Sequence, residues 1–242
     1  MIVKICTCFI SALAMFFVMG TFGCGSKTPQ DVDDAFIVTA TEKAPKTLAI
    51  LPFDNNSITH PEKYSPLSKG VAAMLITDLN RAGTGIKLIE RTKIQSLLKE
   101  VALSQSGAID QSTAIQVGKM LGAESIAFGS FMVVENTVRM DLRIIKVETS
   151  ELIMAEKVIG DSNNFIQLEQ DLAQKIAQSL KVAFQPEMIA GESSISAALY
   201  FSQGVETLDN GDPAGAKELF DKAISIDPSY KQQVENINGP KQ

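Results

Sequence analysis

The chain has little of the two residue types that most often serve metal sites and nucleophilic catalysis. Its 242 residues include three cysteines and one histidine. We expect Cys6 and Cys8 to be removed with an N-terminal signal, so the mature chain would keep only Cys24 and could form neither a disulfide framework nor a cysteine metal site. No Ser-His-Asp or Cys-His set can be assembled around the lone His60, which lies among loop residues. The sequence therefore predicts a protein that is not an enzyme and uses no cofactor or metal.

Concentrated positive charge is also missing. Lysine and arginine number 22 against 28 acidic residues, a net charge of −6, and loss of Lys4 with the signal would make it −7. No basic block with interleaved aromatic residues occurs, which argues against a nucleic-acid partner or electrostatic binding to anionic lipid. The run Gly83-Thr84-Gly85-Ile86-Lys87 is not a phosphate loop, because it follows a predicted helix and precedes a predicted strand.

The first residues have the layout of a secretory signal. A basic start at Met1–Lys4 leads into an apolar run over 5–19, which is shorter than the ~20 apolar residues that a membrane-spanning helix needs. A small residue, Gly23, stands before Cys24, and this resembles the lipobox in which the cysteine receives diacylglycerol and becomes the new N-terminus. We therefore predict lipid attachment at Cys24. A retained membrane helix and an ordinary signal cleaved near Gly23 remain the alternatives.

Composition divides the chain into four predicted segments. The signal is followed by a polar segment whose only apolar interruption is Phe36-Ile37-Val38, which is typical of a tether. Two folded parts come next, separated by a Gly- and Ser-containing stretch around residue 192. The predicted boundaries are 1–23 for the signal peptide, 24–45 for the lipidated tether, 46–185 for an α/β domain and 193–232 for a helical hairpin.

The apolar periodicity of the α/β segment alternates between strands and helices before it changes to consecutive strands. Ser65-Pro66 and a Thr92/Gln95 capping box predict two helix starts, and Gly122 predicts a helix end. We predict an α/β (α+β) fold with a mixed five-stranded sheet, flanking helices and a C-terminal helical hairpin. The predicted strands are 47–53, 86–90, 125–134, 137–147 and 152–159. The last predicted helix is a long one that closes the domain over 164–184.

Two polar stretches follow predicted strands, at positions where open sheets often bind ligands. Asp54, Asn55 and Asn56 follow the first strand, and Glu90-Arg91 follow the second. Aspartate and asparagine are also the ordinary residues of turns. We interpret both stretches as turns and assign no binding site to them.

The C-terminal segment 197–230 resembles one tetratricopeptide repeat, whose pattern spans ~34 residues. Gly211-Asp212 fits the turn between its two helices, and Pro228 fits the stop. A lone repeat cannot bury its apolar face, so it must dock on its own domain, on a second copy or on a partner. The candidate protein-interaction residues at the repeat's aromatic and small positions are Tyr200, Gly204, Ala216, Phe220 and Ala223.

The larger resemblance covers 47–184. The succession TLAILPFDN, PLSKGVAAMLITDLNRAG, IKLIERTKI, GKMLGAESIAFGSF and VRMDLRIIKVETSELIMAEKVIG is similar to the periplasmic domain of the curli secretion (CsgG) family. The resemblance implies a lipoprotein on the periplasmic face of the outer membrane, a scaffold or accessory factor in envelope assembly or secretion. Its partners would be envelope proteins, and it could form homo-oligomers. The alternatives are a lipoprotein activator that docks on a peptidoglycan synthase (a penicillin-binding protein) and, from the enzyme class, an envelope hydrolase.

One departure from the family pattern limits that implication. In the curli channel, a long glycine-rich segment between the strands equivalent to 125–134 and 137–147 forms a membrane-spanning hairpin, whose strands need ~9–11 residues each. Here Val134 is joined to Thr137 by Glu135-Asn136 alone. We therefore expect no pore of the curli-channel kind.

Overall fold

The computed structural model describes residues 44–100, 109–185 and 194–237. These residues belong to one compact unit that spans Glu42–Gln242. The predicted signal peptide, Cys24 and nearly all of the predicted tether lie outside the described residues. None of the helices in the described ranges is long and apolar enough to cross a membrane.

The described elements follow the predicted order of strands and helices. The strands are β1 (Thr47–Ile50), β2 (Asp54–Asn55), β3 (Lys87–Leu88), β4 (Ser125–Val134), β5 (Thr137–Lys146) and β6 (Leu152–Asp161). The helices of the sheet-bearing part are α1 (Pro61–Tyr64), α2 (Leu67–Arg81), α3 (Arg91–Glu100), α4 (Gln111–Leu121) and α5 (Phe165–Ser179). The C-terminal helices are α6 (Ile195–Asp209), α7 (Pro213–Ile226) and α8 (Tyr230–Glu235).

The sheet is mixed, with strand order β3-β1-β4-β5-β6, and the predicted α/β fold class is confirmed. β1 pairs in parallel with β3 and β4, whereas β4, β5 and β6 form an antiparallel meander. The sheet has one strand more than predicted. Asp54 and Asn55, interpreted above as turn residues, form β2 by pairing in parallel with Ser130 and Phe131.

The two faces of the sheet are covered differently. The alternate residues Met140, Leu142 and Ile144 of β5 are buried on the face that α2 and α5 cover. On the opposite face, Phe128 and Ile145 belong to a second apolar cluster with residues of α3 and α4. This second cluster extends over only part of the sheet, and beyond it the β5 residues of that face are polar.

Helix ends agree with the predictions in one case and differ in another. The Asp110 side chain accepts a 2.8 Å hydrogen bond from the Thr113 N–H at the start of α4, and Gly122 ends that helix with φ of 66°, a value that favours glycine. The predicted capping box at Thr92 is wrong. α3 already begins at Arg91, because the Glu90 carbonyl accepts the Ile94 N–H and draws the first turn back by one residue.

Candidate interaction surface

The C-terminal helices form a hairpin whose interior is built on aromatic rings and small residues. The rings of Phe201 and Phe220 have centroids 5.7 Å apart across the interface between α6 and α7. A Cβ atom on Gly204 would lie 2.5 Å from the Phe220 ring, so only glycine permits this approach. The Asp212 side chain accepts a 2.9 Å hydrogen bond from the Gly215 N–H and caps α7.

The hairpin interior contains most of the residues predicted for protein interaction. Gly204, Ala216, Phe220 and Ala223 are buried. They hold α6 against α7 and do not lie on a surface that a partner could touch. Tyr200 is half-buried, and its ring lies 5.8 Å from the Lys222 Nζ, so it is the accessible member of the set.

The hairpin docks on the sheet-bearing part chiefly through contacts between α6 and α2. Gly70 of α2 and Ser202 of α6 approach so closely that a Cβ on Gly70 would lie 1.7 Å from the Ser202 Oγ. Helix α8 also packs on the hairpin, with the Tyr230 ring 5.5 Å from that of Phe201. Helices α2 and α8 thus both pack on the hairpin.

Three polar contacts reinforce this docking at the C-terminal end of α6. The Arg91 guanidinium of α3 pairs with the Asp209 carboxylate, and the two side chains are 6% and 4% exposed. Lys99 donates a 2.9 Å hydrogen bond to the Asp209 carbonyl, and Lys69 lies 3.4 Å from the Glu206 carboxylate. Arg91 was predicted to be a turn residue. Its pairing with Asp209 could not be predicted from the sequence, because the two residues lie 118 positions apart.

A second buried polar cluster brings together side chains of α2, α5 and α8. The Gln233 Nε2 donates a 2.6 Å hydrogen bond to the Asp78 Oδ1, and both residues are buried. Glu169 of α5 is fully buried, and neither of its carboxyl oxygens has a protein hydrogen-bond donor. Desolvation raises the pKa of Glu169 well above its ordinary value, and repulsion from the Asp78 carboxylate raises it further.

The polar half of the sheet forms a shallow groove of about 420 Å³. Arg139 and Asp141 form a bidentate ion pair with two 2.6 Å contacts along β5. Burial raises the pKa of Asp54 at the groove's edge, although the hydrogen bond from the Ile109 N–H opposes that shift. The residues that line this groove are Asp54, Asn56, Ile109, Phe128, Gly129, Ser130, Met132, Arg139, Asp141 and Arg143.

The described residues do not assemble a metal-binding cluster. Within the described ranges, no group of three or more histidine, cysteine, aspartate or glutamate side chains could hold a metal ion. His60 is exposed, and its Nδ1 lies 3.5 Å from the Glu62 carboxylate in solvent. Three polar features stand out among the described residues: the buried Arg91–Asp209 ion pair, the cluster of Asp78, Glu169 and Gln233, and the open groove.

These features define the class of the protein as an α/β domain with a helical hairpin packed on it. Residues 38–139 match the family described as curli production assembly/transport component CsgG. The predicted resemblance to the CsgG family is thereby confirmed over β1 to the start of β5. No curated protein sequence matches the chain.

Several solved structures are similar to this chain at low identity. The LpoB C-terminal domain from Salmonella enterica is 17% identical, with a TM-score of 0.37, over 50% of this chain and 87% of that one. Lipoprotein GNA1162 from Neisseria meningitidis is 14% identical, with a TM-score of 0.41, over 55% of this chain and 99% of that one. The PelC dodecamer from Paraburkholderia phytofirmans is 14% identical, with a TM-score of 0.34, over 60% of this chain and 96% of that one.

Proposed function

We propose that this chain is a lipid-anchored, non-catalytic scaffold or accessory factor of the CsgG type that acts in envelope assembly or secretion. It would be held to the periplasmic face of the outer membrane through Cys24. The observation that carries the proposal is the match of residues 38–139 to a family of assembly and transport components. The absence of a metal-binding cluster from the described ranges is compatible with a contact role.

The turn between β4 and β5 supports a contact role over conduction. β4 and β5 pair along their whole length, from Ser125 opposite Lys146 to Val134 opposite Thr137. Glu135 takes a left-handed conformation with φ of 52°, which closes the hairpin within two residues. The family's channel-forming segment has no counterpart at this position.

The anchor is tested by comparing two cysteine variants in cells that are fed labelled fatty acid. Cys24→Ala should abolish incorporation of label, because one residue would carry all the acyl chains. If the signal is still cleaved, the substitution should also release the protein from the membrane. Cys8→Ala is the matched control, since that cysteine lies within the predicted signal, and it should leave labelling unchanged. Label that still enters the Cys24→Ala protein would contradict the proposed anchor.

The scaffold role is distinguished from the activator alternative with purified components. Residues 24–242, added to a purified peptidoglycan synthase of the source bacterium, should leave the rate of glycan polymerisation unchanged. Deletion of the gene should instead reduce a secreted or surface-assembled product, and the intact gene should restore it. A dose-dependent acceleration of the synthase would favour the activator function over the scaffold function.

The hairpin's accessible residue provides a test of partner binding through this element. We propose that Tyr200 contributes to a protein contact, because it alone of the predicted set is reachable from solvent. Tyr200→Ala should reduce the amount of envelope protein that is cross-linked to the full-length protein in cells, whereas Lys217→Ala on the outer side of α7 should leave it unchanged. Equal association for both variants would show that binding belongs to another surface.

A further inference from the structure

Strand β6 is an edge strand of the sheet, and one of its two sides carries no strand. β5 pairs with the other side in unbroken register from Ala155 to Asp161, and among the described residues no strand pairs with the outer side. The register shift of this pairing, a feature that often blocks an edge, lies beyond Met154 at the start of β6. An open groove of about 440 Å³ lies between this edge and α5. The stretch 155–161 is therefore a regular, open edge without proline.

This edge presents main-chain groups that can pair with a further strand. The Ser162 N–H donates a 2.7 Å hydrogen bond to the Asn136 carbonyl, so Ser162 points toward β5. The main-chain groups of successive residues alternate between the two sides of a strand. Those of Lys157, Ile159 and Asp161 therefore point away from β5. The Asp161 carbonyl also accepts a hydrogen bond in the turn that follows, and its second lone pair stays available.

The side chains of the same three residues share the face of the sheet that α5 does not cover. Gly160 lies against Leu168 of α5, so its neighbours on both sides point to the opposite face. Ile159 is 53% exposed, and Lys157 and Asp161 are exposed on either side of it. Lys157 forms no ion pair with a described residue. The edge thus carries an exposed isoleucine between a cation and an anion.

We propose that a second copy of this chain pairs antiparallel with this edge, about a two-fold axis that passes through Ile159. Such an axis stands perpendicular to the sheet, so side chains of the same face come opposite each other in the two copies. Ile159 then lies opposite Ile159 of the second copy, and each Lys157 lies opposite an Asp161. Opposite charges at directly opposed positions stabilise a strand pair, whereas like charges destabilise it.

Charge favours this register over the other symmetric ones. An axis through Lys157 would place two lysines opposite each other, and an axis through Glu156 or Asp161 would do the same with two carboxylates. An axis through Val158 would leave Lys157 opposite an isoleucine. The axis through Ile159 forms two pairs of opposite charge, one on each side of it. It also brings together the outward-pointing main-chain groups of the two copies, as a hydrogen-bonded ladder requires.

The test is cysteine cross-linking of the full-length protein in detergent with a short bis-maleimide reagent. Ile159→Cys places two thiols on opposed residues whose Cβ atoms are about 4.5–5.5 Å apart, and it should give a cross-linked dimer. Leu152→Cys is the matched control, because Leu152 is also 53% exposed on β6 but lies far from its own counterpart across this axis. The wild-type protein reports any link through native cysteines, and mass spectrometry of the linked peptides locates the bond.

Charge variants made in the Ile159→Cys protein test the register. Lys157→Glu turns both favourable pairs into repulsive ones and should lower the yield of dimer about tenfold. Lys87→Glu, on the opposite edge strand β3, should leave the yield unchanged. Asp161→Asn removes the charge but keeps an acceptor for the Asn163 N–H, which the Asp161 carboxylate binds at 2.8 Å, and it should lower the yield less than Lys157→Glu does.

Three results would overturn the proposal: no dimer linked through position 159, equal linking of Ile159→Cys and Leu152→Cys, or a dimer that Lys157→Glu does not weaken. Circular dichroism melts of each variant establish that it is folded before its yield is compared. A variant at position 159 that fails to fold is replaced by Lys157→Glu and Lys87→Glu in the otherwise native chain. Sedimentation velocity should then show the dimer lost in the first and kept in the second, and the same dimer in both would overturn the proposal.

Discussion

The close approach of Gly70 to Ser202 makes a sharp prediction about how the hairpin is held. Alanine at position 70 would place its Cβ 1.7 Å from the Ser202 Oγ and 2.5 Å from the Ser202 Cβ. Rotation of the serine side chain could move the Oγ but not the Cβ, whose position the backbone of α6 fixes. The substitution must therefore shift α6 away from α2.

The expected magnitude comes from two opposing effects. Glycine to alanine in a helix interior ordinarily gains about 1 kcal/mol in the free energy of unfolding, because alanine has the higher helix propensity. Overpacking of a close contact costs about 1–3 kcal/mol. We expect Gly70→Ala to be destabilising by up to about 2 kcal/mol, and a loss of 1 kcal/mol lowers Tm by about 2–4 °C in a domain of this size.

A double-mutant cycle tests this expectation, because the effect of Gly70→Ala on the free energy of unfolding should change sign when the Ser202 side chain is removed. Ser202→Gly removes both clashing atoms, so Gly70→Ala made in that background should stabilise the protein or leave it unchanged. Urea unfolding of the mature protein, followed by circular dichroism, measures all four variants. A stabilising effect of Gly70→Ala in the presence of Ser202 would falsify the packing of α6 on α2 described above.

Three further outcomes follow from the buried contacts. Asp209→Asn should lower the free energy of unfolding by about 3–5 kcal/mol in urea melts, because Arg91 would remain buried without its charged partner. Lys217→Ala, in the exposed ion pair with Asp221, is the control and should have no measurable effect. Ala216→Leu should cost about 1–3 kcal/mol by overpacking the hairpin, and it should increase hydrogen exchange in α7 more than in α4. The free energy of unfolding should fall as pH rises from the ordinary glutamate pKa through the raised pKa of Glu169, since the folded state binds the proton more tightly, and Glu169→Gln should remove this slope in pH-dependent melts.

The meander could be predicted from sequence because its determinants are local. Alternation of Val138, Met140 and Leu142 with charged residues gave β5 its dry and wet faces, and the predicted bounds of β4 agree with the structure. The strand character of β2 could not be predicted in this way. Asp54 and Asn55 have turn chemistry, and they form a strand only because β4 pairs with them.

The contacts of the candidate interaction surface also differ in how far the local sequence determines them. Contacts within the hairpin, such as Gly204 against Phe220, could be predicted from the spacing of small and aromatic residues along 197–230. The docking contacts do not, because Gly70 with Ser202 and Arg91 with Asp209 join positions that share no local pattern. Position 70 gives no sign in the sequence that its missing side chain makes room for another helix.

The burial of α2 explains how the single helical hairpin is held on the domain. A helix that is apolar on one stripe covers one layer, whereas a helix buried on nearly all sides must lie between two layers. Ten of the fifteen residues of α2 are buried, including Gly70 toward the hairpin and Met74 in the main core. Removal of the hairpin would therefore expose a second apolar face of α2 and destabilise the sheet-bearing part. A truncated chain would confuse lost folding with lost binding, so partner contacts must be mapped with surface substitutions such as Tyr200→Ala in the full-length protein.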